Sequence, residues 1–470
     1  MLRDRYDPID LFALVPALSL AMDPVLAQLD QLLEDDALVQ RVKADLLRRT
    51  PHTATRGRPS TPVEVILRML VVKRLYRWSD EETEQFVADS LVLRQFCRLS
   101  LEPVPDDTTL LRWANLIGAK TVAALNDRVA ELARSLKVTR GRKRRVDSTV
   151  VETNIHHPTD SRLVGDGVHV LSRLFRRAKR VLAGGASVGR AVFRTRTRSV
   201  RRLAQQIHRL ARRKGEDATA QMQQTYARLL AVARQSWAQA EQVRAALHGR
   251  RRAAARRLAQ ELTHYVPLVT HVIRQAHRRG RDGDVVPAPE KILSLFEPHT
   301  QIIQRHKPGK PVEFGRKLWL DEVDGGIISR DAILAEAGPD HPYLAASLAS
   351  HRKQFGRPPR LVAGDRGIYT PDNEGLAERA GVKHVVIPYA GKPSPQRVQH
   401  ERASWFRRGF RFRAGIEGRI SVLRRRFGLD RCRDHDEAGL GRWVGWGIVT
   451  ANLITIARTM ADRSARRRAA

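Results

Sequence analysis

Two rhythms of apolar residues divide the chain. Up to about residue 138, leucines and valines recur every three or four positions, the spacing of amphipathic helices. Residues 24–48 predict one such helix, and TATRGRPSTP (53–62) reads as a basic linker punctuated by Gly and Pro. TPVEVILRMLVVKRLYRWS follows as a helix opened by Thr61 as cap and Pro62 in the first turn. Ser79 with Glu82 three residues on is a capping-box pattern for the next helix. PDDTTLLRWANLIGAKTVAALNDRVAELARSL then supplies a short helix and a longer one. Residues 1–138 therefore read as an all-helical DNA-binding or oligomerising module, and the short helix after Asp107 is a candidate for base recognition.

From about 140 the period changes. Strand-like runs fall at 144–151, 317–323, 326–333, 360–364 and 384–388, and EVDGG between the second and third is a hairpin turn signal. Helices are expected at about 374–381, 403–426 and 437–463. Hairpin-linked strands followed by strand, helix, strand predict an α/β domain over 139–470, a mixed sheet flanked by helices. Residues 171–285 interrupt it with helical hairpins, turning near AGGASVG and RRKGEDA.

Charge sharpens this picture. The 470 residues carry 85 Lys and Arg against 50 Asp and Glu, a formal charge of +35. Self-repulsion of that size opposes compactness and calls for a polyanionic partner, nucleic acid first. The interruption holds 26 basic residues over 171–280 against four acids, which suits an arm gripping a DNA backbone or a solvated helical spacer. No apolar run reaches the ~18 residues of a membrane span, and MLRDRYDPIDLF lacks the apolar stretch of a secretory signal. Two cysteines, Cys97 and Cys432, make neither a disulfide framework nor a cysteine zinc site, as expected of a cytoplasmic protein.

Three carboxylates stand out. Asp147 sits inside the strand-like RRVDSTVVET, where an unpaired charge costs several kcal/mol, so it needs a cation, a hydrogen-bond cage or a wet sheet edge. Asp365 ends the strand in RLVAGDRGIYTPDN, where α/β sheets bind ligands, although a turn-capping role fits equally. Glu417 lies on one helical stripe with Phe410, Arg413, Ile420 and Arg424, flanked by Gly415 and Gly418. Glycines there cost helix propensity and suit close approach to the backbone, whereas the stripe alone also fits an exposed ion-pair ladder. Two Asp and one Glu are what Mg²⁺ needs for phosphoryl transfer. Rival groupings are weaker: Asp321, Glu322 and Asp324 fall around the hairpin turn, and His156, His157 and Asp160 lack a second ligand pair.

VDSTVVETNIHHPTDS, LVAGDRGIYTPDNE and FRFRAGIEGRISVLRRRFGLDRCR, in that order, resemble bacterial insertion-sequence transposases of the Asp-Asp-Glu type. RGRPSTPVEVILRMLVVKRLYRWSDEE resembles their preceding helical domain. One branch, covering elements not yet classified and relatives of the fifth insertion-sequence family, carries Tyr-x2-Arg-x3-Glu-x6-Lys. Here Phe410 stands for the Tyr and Arg424 for the Lys, while Arg413 and Glu417 match. Phe410 loses a hydroxyl, and Arg424 replaces a compact ammonium with a planar fork. The resemblance implies a ribonuclease H-like fold, with Asp147, Asp365 and Glu417 catalytic and binding Mg²⁺ or Mn²⁺. It implies cleavage at terminal inverted repeats of double-stranded DNA and joining of the 3′-hydroxyl ends to target DNA. A homodimer or larger synaptic complex, associated with the nucleoid, is expected. Phe410, Arg413, Arg424, Arg366, Arg176, Arg177 and Arg180 are candidate DNA contacts. A nuclease of the same fold and a non-catalytic DNA-binding descendant remain alternatives.

Overall fold

The computed structural model describes residues 1–6, 22–49, 52, 55, 59–182, 190–307 and 309–469. Half of the expected linker 53–62 and all of the AGGASVG turn lie outside them. The chain divides into two compact units, 1–153 with 315–470, and 154–314.

Among the described residues, seven helices open the first unit: α1 (Pro24–Leu32), α2 (Asp36–Leu46), α3 (Val63–Tyr76), α4 (Asp80–Asp89), α5 (Leu91–Phe96), α6 (Asp107–Leu116) and α7 (Ala119–Ser135). The single helix expected over 24–48 is two, because Asp35 leaves helical geometry and accepts from the Leu38 N–H to cap a new start. Thr61 does not cap α3. Its first N–H groups, on Val63 and Glu64, donate instead to the carbonyls of Arg3 and Asp4, so no side-chain cap is needed. The capping box of Ser79 and Glu82 is present in full. Every residue of α3 from Val63 to Val72 is buried, which makes it the hub of the helical layer. Its one buried cation, Arg68, is held by Glu64 at 2.9 Å and Asp30 at 2.6 Å.

The sheet comprises β1 (Lys143–Glu152), β2 (Gln301–Lys307), β3 (Lys310–Val323), β4 (Ile327–Ile333), β5 (Leu361–Ala363) and β6 (His384–Val386). Their order is β2-β3-β1-β5-β6, with β4 also pairing β3. β1 is antiparallel to β3 and parallel to β5, so the sheet is mixed, as the alternation of hairpins and crossovers predicts. Gly325 and Gly326, both at positive φ, make the β3–β4 turn. Helices α12 (Leu344–Phe355) and α13 (Pro371–Arg379) cover one face through Val146, Trp319 and Leu348. Against the other face lie α15 (Ser404–Phe427) and α16 (Asp436–Ala469), preceded by the short α14 (Pro395–Arg402). Val151, Leu318 and Leu320 there share a core with Leu423, Ile448 and the N-terminal helices. Asn452 joins these layers, bonding Asn126 of α7 and both backbone groups of Ile328 in β4.

His351 of α12 is fully buried, with Nε2 3.0 Å from the Gly141 carbonyl and its ring 4.5 Å from that of Phe355. Burial, helped by the nearby Arg144 cation, pushes its pKa down to about 3. The unfolded chain takes up this proton at about 6.5 and the folded chain does not. Stability is therefore complete above pH ~6.5 and falls by up to ~1.4 kcal/mol per unit as pH drops toward 3. Comparing acid unfolding of wild type and His351→Gln should reveal a shallower slope in the variant between pH 6.5 and 4.5. Equal slopes would mean that the imidazole titrates normally.

The second unit is a bundle of α8 (Asp160–Leu182), α9 (Thr197–Leu210), α10 (Glu216–Leu247) and α11 (Ala253–Gly280) around its own core of Leu171, Phe175, Leu229 and Leu262. Among the described residues no helix is long and apolar enough to cross a membrane.

Candidate active site

Asp147 lies on β1 opposite Leu320 of β3. β1 and β5 run in parallel register from Lys143–Leu361 to Arg145–Ala363, and two further residues along that register bring Asp365 level with Asp147. The loop carrying Asp365 is fixed from outside. Thr370 caps α13, and the Asn373 amide donates to the carbonyls of Ile368 and His341 at 2.8 and 2.7 Å. The second of these bonds ties the Asp365 loop to the one bearing Asp340.

Helix α15 brings the third acid. Arg145, two residues before Asp147, pairs with Glu322 at 2.6 Å and donates 2.7 Å to the Phe412 carbonyl. A side chain at Gly415 would collide with that guanidinium, so the close approach expected there is real. A Cβ at Gly418 would have nothing of the protein within 4 Å of it. Seated this way, α15 places Arg413 between two acids. Its guanidinium reaches Asp147 at 3.1 Å and Glu417 at 2.8 Å.

The acids differ in environment. Asp147 is 13% exposed and Glu417 67%, so Asp147 alone of the two is shielded from water. Burial pushes Asp147 up to about 6, with Asp365 and Asp340 adding to the rise and Arg413 opposing it. Asp365 is raised too, first by burial and then by Asp340, against Arg413. Its Oδ1 is buried without a hydrogen-bond partner. Arg413 thus contacts Asp147 and Glu417 directly and acts on Asp365 electrostatically, and burial still outweighs it at both aspartates. Among the described residues, no three His, Cys, Asp or Glu side chains converge closely enough to hold a metal ion.

Asp340 is the residue that sequence reasoning missed. It accepts from the Ser148 hydroxyl at 2.8 Å and pairs with Lys317 at 2.8 Å. Set in AEAGPDHPY, it has the look of an ordinary loop residue, and no spacing marks it.

The other predicted positions scatter. Arg366 and Phe410, both exposed, line one cleft with Arg407, Arg408 and Arg411. Arg424 lines a separate cleft with Arg77 and Arg431. In the second unit Arg177 is committed to Glu261 at 2.6 Å, whereas Arg176 and Arg180 are exposed. The turn role expected for the β3 acids holds only for Asp324, which accepts from the N–H groups of Arg140, Arg142 and Lys143. Asp321 and Glu322 lie on β3 itself and neutralise the buried Arg144 and the half-buried Arg145. His156 pairs with Asp166, His157 meets Phe314 edge-on, and Asp160 binds Arg279, so these three do not form a site.

Residues 17–116 match the model of a family described as a transposase domain (DUF772). The match supports a transposase family and, with it, DNA-cleaving chemistry in general. It covers the N-terminal helices and stops short of all three acids. No curated protein and no solved structure matches the chain.

Proposed function

We propose that the chain is an insertion-sequence transposase of the Asp-Asp-Glu type, with a ribonuclease H-like catalytic sheet. The observation that carries this reading is the half-buried Asp147 on β1 and Asp365 just past the end of the adjoining β5, both raised by burial, with Arg413 and Glu417 presented beside them by α15. It occurs in a chain whose first helices match a transposase domain.

The donor set is all hard oxygen, which suits Mg²⁺ or Mn²⁺. Asp147 and Asp365 would hold it, the unpartnered Asp365 Oδ1 being one free donor, with Glu417 as third ligand. When bound, the metal supplies positive charge to the attacking and leaving oxygens of a phosphodiester. Arg413 can exchange its carboxylate partners for a DNA phosphate, which frees Glu417 to turn inward. Arg366, Arg407, Arg408 and Arg411 hold the strand beside the acids, and Phe410 packs or stacks against it. Water attacks phosphorus at the element end and the 3′-oxygen leaves as a hydroxyl. That 3′-hydroxyl then attacks a target phosphodiester and expels its 3′-oxygen. Catalysis is positioning and charge neutralisation, with no protein–DNA covalent bond.

Residues 1–138 read the terminal inverted repeats of double-stranded DNA, and the basic insertion 171–285 grips backbone through residues such as Arg176 and Arg180. Arg177 serves the arm's own stability through Glu261. Two ends are joined in a homodimer or larger synaptic complex, at the nucleoid.

The test is cleavage and joining of DNA bearing the native element ends, with Mg²⁺ or Mn²⁺, for wild type and Glu417→Gln. Metal-dependent cutting and joining that disappear in the variant are expected. Cutting without joining would make the protein a nuclease, and binding without cutting a non-catalytic descendant.

A further inference from the structure

Away from the acids, α3, α6 and α16 enclose a cavity of about 270 Å³. Its wall combines Trp78, Trp443 and Trp446 with Lys73, Arg77 and Arg442 and with the acids Asp80 and Asp434, Asp80 pairing with Lys73 at 2.6 Å. Arg74 lies flat on Trp443, 3.7 Å from the ring centre, and fixes that indole, whose N–H donates to the Gly428 carbonyl. Trp78 stacks on Tyr76 at 4.5 Å and tilts against Phe86 at 4.6 Å. Those two rings are 45% and 41% exposed, so the aromatic surface continues outward from the cavity.

A second cleft of about 360 Å³ adjoins it, sharing Arg77 and Arg433 and adding Arg424 and Arg431. The acids of this cleft, Glu152 and Asp430, are fewer than its arginines. Glu152 ends β1, five residues beyond Asp147, or about 17 Å along a strand. The two features are therefore a separate place on the first unit. Indoles with open aromatic neighbours, continuing into a row of arginines, are the parts of a single-strand site: rings stack bases and cations follow the backbone. Within a duplex the base faces are stacked on one another, so an aromatic cavity favours unpaired bases.

We propose that the cavity and cleft bind single-stranded DNA, the cavity taking one unpaired base and Arg77, Arg433, Arg424 and Arg431 its flanking phosphates. The proposal rests on the reading of the chain as a DNA-acting protein, and not on the identity of its catalytic acids. It gives the transposase a hold on the unpaired strand near a cut end, distinct from its duplex grip.

The test uses the full chain with a single-stranded oligonucleotide carrying 2-aminopurine, and its duplex for comparison. Wild type should quench the 2-aminopurine in the single strand and not in the duplex. Trp78→Leu should abolish the quench and weaken single-strand binding roughly five- to hundredfold, the range of one base–aromatic stack. Arg433→Gln should keep the quench and lower the salt slope by about 0.7, one single-strand phosphate contact. Arg433 is exposed, so this variant reads out even if Trp78→Leu folds poorly. Wild-type quench and salt slope in both variants would overturn the proposal, even in a protein that cuts and joins DNA. A Trp78-dependent quench in a protein that never cuts would uphold the site and remove the transposase.

Discussion

Asp147→Asn and Asp365→Asn should each abolish DNA cleavage, by at least the ~10²–10³-fold that loss of one charge-stabilising group costs, while DNA binding persists. Thermal stability should hold or rise. Both carboxyls are raised by burial, so each ionised form opposes folding at neutral pH, and a neutral amide of the same shape relieves that opposition. Loss of activity with no loss of stability separates a functional carboxylate from a structural one, because native proteins keep such strained charges where chemistry needs them. Cleavage assays and melting curves on the same preparations provide both readings. Retained cleavage in either variant would remove that residue from the site, and a large drop in melting temperature would make it a structural anchor.

Short apolar runs exposed the strands because both faces of this sheet are buried against helices, which fills the strands with β-branched and apolar residues. It also located Asp147, since a charge inside such a run is conspicuous. Asp365 was legible as the residue beyond a strand end, and Glu417 as an acid on a mixed helical stripe. The contacts among these acids were not legible. Arg413 was expected at a phosphate and stands on Asp147 and Glu417, which a linear stripe on α15 cannot reveal. Asp340 comes from a loop between β4 and α12, where an aspartate beside Gly and Pro signals only a turn. The break between α1 and α2 is hidden because the leucines keep helical spacing through it, and only the cap by Asp35 marks the new start. Arg145 lies in the expected strand 144–151 with nothing local to mark a role, yet its partners Glu322 and Phe412 lie far along the chain and seat α15.

Asp321 shows why an acid on the same strand layer is not a second active site, and predicts the largest effect on stability. It and Arg144 are both fully buried and pair at 2.8 Å. Asp321 also accepts from the Ser347 hydroxyl at 2.6 Å, the Trp319 indole at 3.0 Å and Arg330 at 3.2 Å. Every lone pair is used, so no donor capacity remains for a metal or substrate. Asp321→Ala strands the Arg144 cation in the core and should cost about 3–5 kcal/mol, the range for breaking a buried pair. Asp321→Asn keeps most of the hydrogen bonds and should cost less. Replacing both partners, as in Arg144→Met with Asp321→Leu, removes the uncompensated charge and should recover much of the loss. The half-exposed pair Arg177–Glu261, at 38% and 34%, is the contrasting case, worth about 0–1 kcal/mol. Denaturant midpoints of the first unit's transition in Arg144→Met, Asp321→Leu and the double variant measure the coupling directly. Additive losses would show that Arg144 finds water or another anion once Asp321 is gone, and that the pair is not what holds β1 to β3 and α12.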